Sequence, residues 1–226
     1  MTAAVVRLLA DPRAAQWFSR RLGGRPGQAA GDRVCDLLPA GFAAYLRVLH
    51  PAGDTGLTWA EVAGRRGRRL GPLTDWSELA TPGVPEPAVG TLPVEQLAAL
   101  CDVLAGHTGP TTDCTFALRP DWAATTAGWS AVAAGPVPLV RLAGRDHILV
   151  RGAISEAVAV SFSDRTGHWW AQSPAFIWPE DRSWCVATDP GRRDTVVAGT
   201  VALAEDLLAA PDLEVWPVGE ESVLPV

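Results

Sequence analysis

The chain of 226 residues contains no lysine and no asparagine, one tyrosine and one methionine. Without lysine there is no amine for a Schiff base and no Walker-type phosphate lysine, which excludes PLP enzymes and P-loop NTPases. All 19 cations are arginine, a bias that accompanies abundant Ala, Gly, Pro and Val and reads as high-GC coding. No run approaches the roughly 18 uncharged apolar residues of a membrane span. The N-terminal apolar run is broken by Arg7 and ended by Asp11, so it lacks the h-region and cleavage site of a secretory signal. Cys35, Cys101, Cys114 and Cys185 form no C-x-x-C pair and read as reduced and buried, so a cytoplasmic location and no membrane contact are expected.

What is present is a globular composition, 48% apolar and 19% charged. The net charge of −6 argues against nucleic acid as a partner, because backbone binding is built from clustered cations. Two short helices fit residues 3–10 and 12–22, with Asp11 as N-cap and Pro12 at the first helical position. The glycines from Gly23 to Gly31 follow as a loop, which divides the chain into a helical N-terminal arm with its Gly-rich loop, 1–31, and a single domain, 32–226. Val34–Leu38 and Phe42–His50 suggest a β-hairpin across Pro39-Ala40-Gly41, although Phe42, Tyr45, Leu46 and Leu49 also fit a helix over 40–49.

Further along, Thr58-Trp59-Ala60-Glu61 is a capping box that opens a helix to about residue 66. Pro93 opens a second helix, whose Val94, Leu97, Leu100, Cys101 and Leu104 make one apolar stripe closed by Gly106. Strands are expected at Cys114–Leu118, at Val137–Leu142 and His147–Arg151 as a hairpin, and at Trp184–Thr188 with Thr195–Val197. Val201–Ala209 is amphipathic, and Leu213–Val218 is a last short strand. The sum is an α+β fold, a mostly antiparallel sheet with a few short packing helices.

No catalytic signature stands out. Cys101, His107 and Cys114, spaced by six and seven residues, lack the tight pair that pre-forms a zinc site, so neither metal nor cofactor is expected. Four histidines are present, His50, His107, His147 and His168. Asp146 cannot orient His147, since adjacent strand residues point to opposite faces. Glu180, Asp181, Asp189 and Asp194 with Thr195 concentrate acids that suit a hard cation or a general base, or equally turn chemistry in which Asp181 pairs Arg182. Trp169, Trp170, Trp178 and Trp184 crowd sixteen residues of a chain with ten tryptophans. Indoles dominate contact hot spots and also fill cores. Arg65, Arg66, Arg68 and Arg69 form either a cationic site or a solvated helix end.

Four segments carry a resemblance: Leu37-Leu38-Pro39-Ala40-Gly41-Phe42 on to Leu49-His50-Pro51-Ala52, His107-Thr108 through Asp113–Leu118, Arg145–Gly152, and Ser173-Pro174 through Trp178-Pro179-Glu180-Asp181-Arg182-Ser183-Trp184-Cys185-Val186-Ala187-Thr188. Together they resemble a family of uncharacterised actinobacterial cytoplasmic proteins, over most of the chain beyond residue 34. The resemblance implies no activity. In that family an acidic-apolar-Asp-Ser/Thr stretch follows the fourth segment, where this chain has Asp189-Pro190-Gly191-Arg192-Arg193-Asp194-Thr195. The Leu-Pro-x-x-Phe piece and the C-terminal strand and helix are similar to SMI1/KNR4-type immunity domains, which implies toxin neutralisation.

These readings converge on a non-enzymatic domain that binds a protein partner or a small ligand through a Trp-rich surface. Its candidate residues are Trp169, Trp170, Trp178, Asp181, Arg182, Trp184 and Asp194. An immunity-type protein is one alternative. An enzyme with Asp181, Arg182 and Asp194 converging beside His50 or His147 is another. A homo-oligomer is left open.

Overall fold

The computed structural model describes residues 6–23, 31–53, 56–109, 112–120, 137–159, 162–163, 169–170 and 172–225. Its helices are α1 (Gln16–Arg21), α2 (Val34–Leu37), α3 (Trp59–Arg65), α4 (Val94–Gly106) and α5 (Val201–Ala209). Its strands are β1 (Arg7–Leu8), β2 (Ala44–Leu49), β3 (Cys114–Leu118), β4 (Leu139–Leu142), β5 (Arg145–Gly152), β6 (Phe162–Ser163), β7 (Trp169–Trp170), β8 (Phe176–Pro179), β9 (Cys185–Ala187), β10 (Asp194–Gly199) and β11 (Glu214–Val218). Nine strands form one sheet in the order β1-β5-β3-β8-β9-β10-β2-β11, with β4 also on β5, and β6 pairs β7 separately. Each pairing is antiparallel, so the expected α+β fold is the observed one.

The sheet is covered on both faces, which is why all five residues of β3 are buried. On one face Leu97, Leu100, Cys101 and Leu104 of α4 and Leu203 and Leu207 of α5 pack on Phe116, Val150, Ile177 and Val197. On the other, Trp17 and Phe18 of α1 and Val34 and Leu37 of α2 pack on Tyr45, Leu149, Phe176 and Trp178. Beyond β2 on this second face, α3 and the loop after it enclose a smaller core of Trp59, Trp76, Val62 and Leu79.

Local chemistry sets most boundaries. Asp11 caps the 3-10 turn Pro12–Ala15, and the capping box of Thr58 and Glu61 is closed in both directions. Ala143 and Gly144, both at positive φ (45° and 78°), form the two-residue turn between β4 and β5 that matches strand twist.

Two expectations fail for one reason, long-range pairing. The segment Val34–Leu37 is a helical turn rather than the first arm of a hairpin. The amides of Val34 and Cys35 donate to the Ser222 and Glu220 carbonyls of the C-terminal tail, and Arg33 pairs Asp36 across the turn. Residues 7–8, read as helix, are instead a strand that joins the edge of β5. The region 44–49 resolves as strand, because β10 and β11 flank it on both sides. No helix among the described residues is long and apolar enough to cross a membrane.

Candidate functional site

Among the described residues, those expected to form one surface do not all come together. Trp178 is 2% exposed and packs edge-on to Trp17, whereas Trp184 is 1% exposed in the core beneath α4 and α5. Its Nε1 donates to the Thr108 hydroxyl at 3.1 Å. The two indoles lie on opposite faces of the sheet, and both are packing residues. Trp169 and Trp170 form β7, but their side chains, like His168, lie outside the described residues.

Asp181 is exposed in the turn after β8 and accepts the amide and hydroxyl of Ser183 rather than pairing Arg182. Arg182, at φ 60°, lays its guanidinium 5.4 Å from the Trp17 ring centre. Trp178 and Arg182 are thus linked through Trp17 of the N-terminal segment. Trp184 and Asp194 stand elsewhere.

Asp194 is the centre of a buried ionic knot. Arg47 Nε donates to it at 2.6 Å, and Arg192 donates through Nε at 2.8 Å and Nη2 at 3.0 Å. Each guanidinium also reaches carbonyls: Arg47 Nη1 donates to Pro72 and Thr74, and Arg192 Nη2 to Pro225. Burial alone would raise the Asp194 carboxyl, but the Arg192 hydrogen bonds and the two cationic charges outweigh it and hold it below its ordinary range. A single charged residue in each of two otherwise uncharged strands, Tyr45-Leu46-Arg47-Val48-Leu49 and Asp194–Gly199, was the sequence signal for this pair, because buried charges require partners.

The neighbouring His50 is 0% exposed. Its Nδ1 donates to the Ala88 carbonyl at 2.7 Å, and its Nε2 accepts from Thr195, whose hydroxyl is 2.9 Å from that of Thr188. Burial holds His50 down to about 4, so the imidazole is neutral. His147 is likewise buried, bonded to the Arg145 carbonyl, and held down to about 4. Asp146 pairs Arg141 instead. A substrate reaches neither histidine without opening the fold.

The cysteines are buried and free, and burial pushes the Cys101 and Cys114 thiols up to about 12, far from the thiolate that reactivity needs. Among the described residues no group of three or more His, Cys, Asp and Glu is arranged to hold a metal ion.

An open groove of about 450 Å³ lies between α4, the loop entering α3 and the turn entering β11. Positions i, i+3, i+4 and i+7 of α4 share a helix face, so Glu95, Ala98, Ala99 and Asp102 point into it while the buried stripe faces the sheet. Leu49, Pro51, Ala98, Ala99 and Leu213 give it apolar walls. Among the described residues its charged lining is acidic: Glu95, Asp102, Asp212 and Glu214.

Glu214 is committed to backbone amides of α3, those of Trp59 and Ala60. Burial raises its carboxyl above the ordinary value, partly offset by those two bonds. Glu95, Asp102 and Asp212 make no ion pair among the described residues. Sequence reading missed this groove, because each acid alone reads as a solvated helix face or a turn. Comparison with protein-family models, curated proteins and solved structures gives no significant match.

Proposed function

We propose that this is a non-enzymatic binding domain whose groove takes a cationic group on an aliphatic stem, such as an arginine or lysine side chain of a protein partner or a polyamine. The stem would lie on Pro51, Ala98, Ala99 and Leu213, with the cation at Glu95, Asp102 and Asp212. The observation that carries this reading is that, among the described residues, the charged groups lining the groove are all carboxylates, three of them without an ion pair. Trp178 and Trp184 lie in the core and do not contribute to a contact surface.

The test is calorimetric titration of the full chain with spermine and, separately, with a short arginine-containing peptide. Binding is expected to weaken about tenfold or more in Asp102→Asn/Asp212→Asn, and to weaken with added salt because the carboxylates are exposed. Heats absent for both probes, or unchanged by the double substitution, would exclude the groove as a cation site.

A further inference from the structure

The segment after α3 carries the opposite charge. Arg65, Arg66, Arg68 and Arg69 are all exposed, and none makes a contact ion pair among the described residues, although the charge of Arg65 acts on Glu61 one turn back. Elsewhere among the described residues Arg7, Arg13, Arg33 and Arg193 pair with a carboxylate, whereas the exposed Arg20, Arg21 and Arg182 do not. The loop is anchored rather than loose: Arg66 Nη1 donates to the Glu78, Leu79 and Ala80 carbonyls at 3.2–3.3 Å, and Arg68 Nη1 donates to Glu78 at 2.8 Å. Arg65 and Arg69 make no hydrogen bond to any described residue, which leaves two guanidinium groups displayed on a fixed turn.

We propose that the basic loop of one copy seats Arg65 and Arg69 in the acidic groove of the next, so that the chain associates head to tail. This rests on the groove being a cation site, as argued above. The occupant follows from charge and from reach. Thr58, at the start of α3, lines the groove, whereas the arginines begin at its far end. The seven residues of α3, of which Arg65 is the last, span about 10 Å. Arg66 and Arg68 are tied to carbonyls at that end, which holds the turn carrying Arg65 and Arg69 away from the groove of its own copy.

The loop and the groove are different patches, and the contact is therefore heterologous. Each added copy leaves one loop and one groove free, so association propagates into a ring or an open series. Because both surfaces are exposed and the chain is net acidic, the association is weak and salt-sensitive.

The experiment is sedimentation velocity of the full chain over a concentration series at low and high ionic strength. Wild type is expected to form dimers and larger species at low salt and to revert to the 23.8 kDa monomer at high salt. Arg65→Gln/Arg69→Gln and Asp102→Asn/Asp212→Asn, all exposed positions, are each expected to be monomeric alone, with circular dichroism and melting like wild type. Mixed together they should form a dimer and nothing larger, since the mixture retains one working loop and one working groove. A wild-type monomer at every concentration and salt level, or a mixture that does not pair, overturns the proposal. Spermine or the peptide still binding such a monomer leaves the groove reading standing, and no binding removes both.

Discussion

Glu214 caps a helix from outside it: one carboxylate oxygen accepts the Trp59 amide at 2.6 Å, and the other accepts the Ala60 amide at 2.8 Å. With Thr58 Oγ1 taking the Glu61 amide and the Glu61 carboxylate taking that of Thr58, the first amides of α3 are fully partnered. This ties the edge strand β11 to α3 and forms one wall of the groove. Glu214→Ala should cost about 1–3 kcal/mol, the range for lost hydrogen bonds to a charged acceptor. Glu214→Gln, which keeps one acceptor, should cost less. Urea midpoints of the three proteins order the effect, and equal midpoints would mean that water replaces the carboxylate without loss.

Asp194 neutralises one of the two guanidinium charges buried with it, so its removal leaves both without their anion. Asp194→Ala should cost about 3–5 kcal/mol, as for breaking a buried ion pair from one side. Arg192→Met should cost less, because the Arg47–Asp194 pair survives. Equal losses would mean that packing, rather than charge, dominates the site. The sign of the pH effect follows from the depressed carboxyl. Its contribution is present above the unfolded carboxyl range and is lost as the pH falls through the lower folded value.

The buried histidines move stability over a higher pH window. His50 and His147 are each held near 4, against an ordinary value of 6.5, so the unfolded chain binds more protons than the folded one between those limits. For His50 burial is the main cause, with Arg47 and Arg192 adding to it and Asp194 and the Ala88 bond opposing. For His147 burial again dominates, with Arg119 and Arg145 adding to it and the Arg145 carbonyl and Asp146 opposing. The stability due to each neutral histidine is complete above pH 6.5 and is lost as the pH falls towards 4, on the order of 3 kcal/mol per residue. Denaturant midpoints measured across this range should fall steeply. His147→Phe should flatten the curve, and an unchanged slope would mean that the imidazole titrates normally.

Elements written by adjacent residues were legible in the sequence. The Thr58–Glu61 box, the Asp11-Pro12 start, the α4 stripe and the turn at Ala143-Gly144 act within a few residues of themselves, so pattern and propensity suffice. What escaped depends on distant partners. The apolar run at Val34–Leu37 turns because tail carbonyls more than 180 residues away receive its amides. Trp178 and Trp184 are six positions apart, yet the turn between β8 and β9 sends them to opposite faces, so crowding in sequence became separation in space. The groove gathers Glu95, Asp102 and Asp212 from two segments that meet only once α4 and the turn before β11 are placed against the sheet.

The N-terminal segment gives the sharpest test of how the second face is built. Phe18 is 0% exposed, with its ring centre 4.8 Å from that of Phe176 and 5.7 Å from that of Trp178. Trp17 meets Trp178 at 6.0 Å and carries the Arg182 guanidinium, so α1 covers β8 while the turn after β8 closes back over α1. Phe18→Ala would leave a void bounded by rigid rings that cannot collapse into it, at a cost of about 3–5 kcal/mol. Arg182→Ala should cost no more than about 1 kcal/mol, because the cation lies at an exposed site. Arg182→Gly should recover part of that loss, since φ 60° suits glycine. Removing residues 1–31 should expose Phe176 and Trp178 and give a chain that binds a hydrophobic dye and melts without cooperativity. A truncated chain that melted as sharply as the full one would show that the sheet needs no cover on that side, and the loss at Phe18→Ala would then need another cause.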